Sequence, residues 1–302
     1  MKNALKHGFI DGFVLKIFAL LFMTFDHVGL LLRTVNPYKQ GIIELSNVFR
    51  SIGRLALPLF VFMIVVGVIH TRSFKKYVAR LGVMAIFISI VLLIINYVDF
   101  GFDTRSISGA GNIFLDLTLC AVAVYTLRHP KKWVKLLTLL PLAISIISFV
   151  VKCYEFSTNA TVVWYPVWLY LQYDWFSIVL AILFYFSYYA ANLYKKYVAY
   201  KDGIVEETWE DDYHQDLLVK ILQVVSLVIA SFALYSFKYL WSKGVYWDAD
   251  TQLFAIISGA FILFYNGKRG YNAKWFQYGS YLYYPLHLAV IILIYIIVNG
   301  GF

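Results

Sequence analysis

The chain has 302 residues, of which 61% are hydrophobic, 19% aromatic and only 14% charged. A soluble domain carries about 25% charged residues and needs a polar skin, so this composition excludes a soluble enzyme, a disordered chain and a nucleic-acid-binding domain. The formal net charge of +9 does not reopen the last class, because basic residues of a membrane protein collect on its cytoplasmic loops.

The reading that remains is an all-α polytopic membrane protein, with one transmembrane domain over 1–302 and the lipid bilayer as its first partner. A hydrocarbon core about 30 Å thick takes about 20 apolar residues per helix. Nine stretches fit: 13–33, 54–71, 77–98, 111–128, 133–152, 174–194, 217–238, 251–265 and 279–298, the fourth and eighth being short. The first begins after Lys2 and Lys6, is long and lacks a small-residue cleavage site, so it is expected to stay as a helix. Val162–Tyr173 carries Trp164, Tyr165, Trp168, Tyr170 and Tyr173. Trp and Tyr favour the membrane–water interface, so this stretch reads as an interfacial helix, with a tenth, broken span as the alternative. The expected count is therefore about 9–10 transmembrane helices.

With the N-terminus in the cytoplasm, roughly two-thirds of the 26 Lys and Arg fall on inside segments, as the positive-inside rule requires. This places the chain in the cell (plasma or inner) membrane and the uncharged tail Asn299–Phe302 outside. Glu206, Glu207, Glu210, Asp211, Asp212 and Asp216 then form an acidic run in one cytoplasmic loop, a solvated face or a docking patch. Cys120 and Cys153 lie in apolar stretches and read as small buried hydrophobes. No CxxC, HExxH, GxxxxGK or dinucleotide-binding glycine pattern occurs, so no metal is expected.

The first span is the most informative. It holds Lys16, Asp26 and His27, and a Lys or Asp near a helix centre costs about 2.5–3.5 kcal/mol on insertion. The fifth span, by contrast, runs from Leu136 to Val151 without a charge. Lys16 and His27 are eleven residues apart, almost three turns, so they share one helix face about 16 Å apart along the axis. A long donor such as coenzyme A has about that reach, with phosphates at Lys16 and its reactive end at His27. The structural alternative is that Lys16 snorkels to the inner surface and Asp26 pairs with an arginine.

A second cluster, Arg50-Ser51-Ile52-Gly53-Arg54-Leu55-Ala56-Leu57-Pro58, puts two arginines one turn apart at the start of the second span. They suit an anionic acceptor, pairing with Asp26 and Glu44, or interfacial anchoring. A third, Tyr283-Tyr284-Pro285-Leu286-His287, offers a second base, a hydrogen bond to His27, or a satisfied core histidine. Asp116 and Asp174, the latter beside Trp175, are weaker candidates for support. Asn266-Gly267-Lys268-Arg269-Gly270 is a glycine-bracketed basic turn that suits a phosphate contact or an ordinary positive-inside loop.

Taken in order, these segments resemble the TraX family of membrane proteins. The resemblance rests on Leu15-Lys16 through Phe25-Asp26-His27-Val28-Gly29, on Gly53-Arg54-Leu55-Ala56-Leu57-Pro58-Leu59-Phe60 and on Tyr77-Val78-Ala79-Arg80-Leu81. Tyr173-Asp174-Trp175-Phe176, Phe264-Tyr265-Asn266-Gly267-Lys268-Arg269-Gly270 and Tyr284-Pro285-Leu286-His287-Leu288 complete it. The family is associated with N-terminal acetylation of conjugative pilin. Lys16-x10-His27 is also similar to the Arg/Lys-x10-His pattern of membrane acyltransferases, whereas Arg50-x3-Arg54 departs from that group's Arg-x2-Arg spacing.

The resemblance implies a transfer of an acyl group, acetyl first among them, from cytoplasmic acyl-CoA to a pilin or peptide N-terminus or an envelope glycan. It makes His27 the acyl-transfer residue and Lys16 a donor-binding residue. Lys268 and Arg269 are expected to meet the donor phosphates. Asp26 fixes the site with Arg54, while His287 and Asp174 serve as support. A homodimer is left open. Two rivals are carried: a transporter or envelope assembly factor that uses Lys16, Asp26 and His27 as an ion relay, and a transferase with a lipid-linked donor.

Overall fold

The computed structural model describes residues 8–35, 38–97, 111–202, 212–240 and 249–298. Among them there is no β-strand, only an isolated bridge between Ile10 and Tyr265. The helices are α1 (Gly12–Val35), α2 (Gln40–Gly53), α3 (Ala56–His70), α4 (Phe74–Tyr97), α5 (Ile113–Arg128) and α6 (Lys132–Leu136). They continue as α7 (Leu139–Thr158), α8 (Asp174–Asp202), α9 (Asp212–Leu240), α10 (Ala249–Gln252), α11 (Ser258–Leu263) and α12 (Lys274–Val298).

The nine expected spans lie largely on helix, but fewer of them qualify as full crossings than the 9–10 expected, 279–298 not being among those that do. Among the described residues, six stretches are long and apolar enough to cross a membrane: Gly12–Val35, Gln40–His70, Phe74–Ile94, Lys132–Thr158, Val167–Lys201 and Asp216–Phe237. The two short spans are short here too, α5 having 16 residues and the apolar stretch Asp250–Leu263 being likewise below a full crossing. Val83, Ile86, Phe87, Ile90 and Ile94 of α4 are exposed at helical spacing. An apolar stripe of that kind without a protein partner is what lipid contact requires. The chain is a multi-pass membrane protein.

Local chemistry sets the ends of these helices. Asp11 Oδ1 accepts from Val14 N at 2.9 Å and starts α1. Asn112 Oδ1 accepts from Phe114 N and Leu115 N and starts α5. Asn159, at φ 52°, ends α7 in the left-handed conformation that Asn tolerates. Pro58 sits in the first turn of α3, where a missing N–H costs nothing. Cys120 is buried and Cys153 half-buried, and both are free thiols.

Val162–Tyr173 is not the α-helix expected of it. It is irregular chain with a single 3-10 turn at Val167–Leu169 after an extended Pro166. Its backbone is held by buried side chains of neighbouring helices instead of by its own ladder. The acidic residues Glu206, Glu207, Glu210 and Asp211 and the tail Asn299–Phe302 lie outside the described residues. Asp216 pairs with the buried Lys220 at 2.6 Å.

Two compact units make up the chain: 1–60, 186–235 and 248–302 form the first, 61–185 and 236–247 the second. In the first, α1 is the hub. Leu15 and Ala19 are fully buried, Phe18 and Phe22 meet Phe261 of α11, and Phe13 meets Phe276 of α12. In the second, Val61, Val65 and Val68 of α3 are buried, as are Ala121, Val124 and Phe184, and Phe62 meets Phe184 edge-on at 6.2 Å.

Candidate functional site

The first unit gathers most of the predicted residues around α1. Close approach of α1 and α2 is licensed by two glycines. A Cβ on Gly29 would meet Ser46 O at 2.9 Å and Arg50 Cγ at 2.8 Å, and one on Gly53 would meet Asp26 Cα at 2.6 Å. Ser46 Oγ seals the crossing by donating to Gly29 O at 2.6 Å. This crossing sets Asp26 Oδ1 3.8 Å from Arg50 Nε and 3.7 Å from Arg54 Nη2, with both arginines buried. The spacing of the arginines brought them to one carboxylate, as expected of residues one turn apart. Glu44 is exposed and accepts from Gln40 Nε2 at 3.0 Å, so it takes the outward direction.

A substitution follows from this geometry. Gly53→Ala pushes a methyl group into the α1 backbone and is expected to lower stability by about 1–3 kcal/mol, the usual cost of overpacking. Thermal unfolding in detergent reads it. A Gly53→Ala melting curve that overlays wild type would mean that the helices do not cross this tightly.

The opposite seam of the unit joins α1 to α12. Lys16 Nζ lies 3.5 Å from Ser280 Oγ and over the Phe276 ring at 5.7 Å. Tyr283 OH and Thr24 Oγ1 are 2.7 Å apart. Thr24 spends its own hydrogen on Leu20 O at 2.9 Å, so Tyr283 is the donor. Next along the seam, His27 Nδ1 and His287 Nε2 are 2.8 Å apart. His287 Nδ1 is 2.8 Å from Tyr283 O, and the Tyr283 ring stacks on the imidazole at 5.1 Å and 12°. Lys16 and His27 thus face the same partner helix, as their eleven-residue separation dictates. His287 makes the hydrogen bond to His27, and its ring is buried with both nitrogens partnered, as a satisfied core histidine's would be.

The basic turn closes on the start of α1. Gly12 N donates to Lys268 O at 2.8 Å, and Asn266 N donates to Ile10 O at 2.9 Å. Lys268 and Arg269 therefore sit by the first turn of α1, one turn from Lys16. Gly270, at φ 67°, packs against the Asp11 carboxylate, a place with no room for a Cβ.

Asp174 is not among these residues; it belongs to the second unit, in a different polar cluster. Its Oδ1 accepts from Ser148 Oγ at 2.6 Å and its Oδ2 from Lys152 Nζ at 3.1 Å. Lys152 Nζ also donates to Leu171 O, and Leu171 N donates to Ser148 Oγ at 3.1 Å. Asp116 accepts from Gln172 N at 2.7 Å, Tyr173 N at 3.3 Å and Ser177 Oγ at 2.7 Å. Asn112 Nδ2 donates to Ala85 O at 2.7 Å at the base of this cluster, and Asn112 N donates to Tyr170 O at 2.9 Å. Asp116, Ser148 and Lys152 thus bond the backbone of the irregular segment before α8, which is how such backbone survives among apolar helices.

Sequence reasoning missed two contacts. Tyr283 ties α12 to Thr24, and Lys152 pairs with Asp174 instead of ending a span as a loop cation. The signal for Lys152 was its place one turn after Ser148 at the end of an apolar run.

With this geometry in view, comparison with known proteins is direct. A family model described as TraX protein matches residues 11–202. The chain belongs to the TraX family. The TraX match contains Lys16, Asp26, His27, Arg50, Arg54, Asp116, Lys152 and Asp174, while Lys268, Arg269 and His287 lie beyond it. The chain is also similar to a protein of Dichelobacter nodosus named "Probable fimbrial assembly protein FimC, serogroup H1", with 31% identity over 117 residues. That alignment covers 38% of this chain and 45% of the relative, so it spans less than half of the fimbrial protein. No solved structure matches the chain.

Proposed function

We propose that this TraX-family chain is an integral-membrane acyltransferase. It moves an acyl group, acetyl in the simplest case, from cytoplasmic acyl-CoA to an amine or hydroxyl on an extracytoplasmic acceptor. The observation that carries the reading is the His27–His287 imidazole pair at 2.8 Å between α1 and α12, with Lys16 eleven residues before His27 on α1. The fimbrial relative, named for fimbrial assembly, supports a pilus setting, in which we take a pilin-like peptide N-terminus as the acceptor; an envelope glycan is the other acceptor of this chemistry.

In this reading the N-terminus is cytoplasmic, Lys16 takes donor phosphate, and Lys268 and Arg269 add charge at the same end of α1. His27 removes a proton from the acceptor as the acceptor atom bonds to the thioester carbonyl carbon. The carbon–sulfur bond then breaks, and the leaving thiolate takes the proton from the imidazolium. Atoms balance as acyl-CoA plus acceptor giving acylated acceptor plus free coenzyme A. Asp26, held between Arg50 and Arg54, anchors the α1–α2 crossing beside the reacting histidine.

The rival is a transporter or pilus assembly factor in which Lys16, Asp26 and His27 relay ions without chemistry. Binding of acetyl-CoA to the full chain in detergent separates the two. A ligand that binds only the folded state adds about 2.7 kcal/mol of stability at a hundred-fold excess over Kd. The expected result is a rise in melting temperature with acetyl-CoA that is reduced in Lys16→Ala. No rise at millimolar acetyl-CoA favours the relay.

A further inference from the structure

The imidazole pair fixes more than a distance. A carbonyl oxygen only accepts, so the His287 Nδ1 that lies 2.8 Å from Tyr283 O carries a proton. In a neutral His287 the lone pair is then on Nε2. The 2.8 Å contact from that atom to His27 Nδ1 requires His27 Nδ1 to be the donor. The proton of His27 therefore sits on Nδ1 and its lone pair on Nε2. A free imidazole side chain in water prefers the opposite tautomer, so the arrangement has to be imposed by its surroundings.

The surroundings are built to impose it. His287 is one turn from Tyr283 on α12, and the stacked Tyr283 ring holds the imidazole plane. Tyr283 is itself tied to α1 through Thr24 Oγ1 at 2.7 Å, one turn before His27. Tyr284 closes the other side, with its ring edge-on to His287 at 5.6 Å and to His27 at 6.1 Å. His287 is buried, which removes the water that would compete for its nitrogens.

We infer that His287 is a positioning residue that sets the tautomer of His27, making Nε2 the nitrogen that takes the acceptor's proton. What that nitrogen does rests on the acyl-transfer reading above; the tautomer does not. When Nε2 gains the proton, His27 becomes an imidazolium whose Nδ1–H still donates to His287 Nε2. That bond is then charge-assisted and roughly twice as strong as a neutral one. His287 thus favours the charged form of His27 at the step where it appears, and needs no negative charge of its own.

The test uses the full chain in detergent with nitrogen-15-labelled histidine, His27 being identified by the signals that vanish in His27→Ala. The expected wild-type spectrum shows a protonated Nδ1 and an unprotonated Nε2. His287→Gln, whose amide oxygen can accept in place of Nε2, is expected to keep that pattern. His287→Leu is expected to move His27 toward the Nε2–H form. Coenzyme A release from acetyl-CoA should follow, falling about 10²-fold in His287→Leu and recovering in His287→Gln. A wild-type His27 protonated on Nε2, or a His287→Leu spectrum unchanged from wild type, would overturn the inference. Should His287→Leu fail to fold, the wild-type and His287→Gln spectra decide. Expected spectra with no effect of His27→Ala on thioester cleavage would leave the tautomer assigned and remove the acyl-transfer reading.

Discussion

Asp174→Ala is expected to destabilise the second unit by about 3–5 kcal/mol, the cost of removing one partner from a buried ion pair. The carboxylate is 1% exposed, and it accepts from Ser148 at 2.6 Å and Lys152 at 3.1 Å. Its loss leaves an ammonium group in an apolar bundle with Leu171 O as the remaining contact of this cluster. A second cost comes from the backbone, because Asp174 sits at φ 47°, where Ala is strained and Asn or Gly is not. The variants separate the two. Asp174→Gly removes the charge and relieves the backbone; Asp174→Asn keeps the backbone and one hydrogen bond. The expected order of thermal stability in detergent is wild type, then Asn, then Gly, then Ala. Equal melting of all four would show that neither the pair nor the backbone angle matters to the fold. Asp116→Ala should be comparably severe, since it strips the acceptor from Gln172 N, Tyr173 N and Ser177 Oγ together.

His27→Ala is expected to lower acyl transfer by about 10²–10⁴-fold, the range a positioned general base contributes. Stability should change less than activity, because the α1–α2 crossing depends on Asp26, Gly29 and Gly53 and not on His27. The comparison variant is Asp26→Asn. It weakens the link to Arg50 and Arg54 and leaves two buried guanidinium groups facing an amide, so it is expected to lose stability as well as activity. Activity loss with an unchanged melting temperature in His27→Ala, and loss of both in Asp26→Asn, would divide reaction from scaffold. A His27→Ala chain that turns over at the wild-type rate would end the assignment of His27.

Much of the site was legible because helical spacing is a strong constraint. Eleven residues are nearly three turns, so Lys16 and His27 had to share a face, and both meet α12. Four residues are one turn, so Arg50 and Arg54 could serve one carboxylate. Ionisable residues in the first span stood out because an apolar helix gives them no reason to be there. Partners from distant segments were less legible. Nothing in the spacing of Thr24 points to Tyr283, since that pairing is set by how α1 and α12 cross. The segment Val162–Tyr173 misled for a different reason. Its aromatic composition signals an interface, but its conformation is decided by Asp116, Ser148, Lys152 and Asp174, up to 57 residues away in the chain. Asp174 itself reads as part of the site motif, yet its buried contacts serve the backbone of that segment.

The most direct test is a comparison of cell-envelope peptides and glycans by mass spectrometry from cells carrying the wild-type chain, His27→Ala, or neither. The account predicts an acyl adduct on a peptide N-terminus or a glycan that is present with wild type and missing in both other cultures. Identical adducts in all three, or an adduct that survives in His27→Ala, would contradict it.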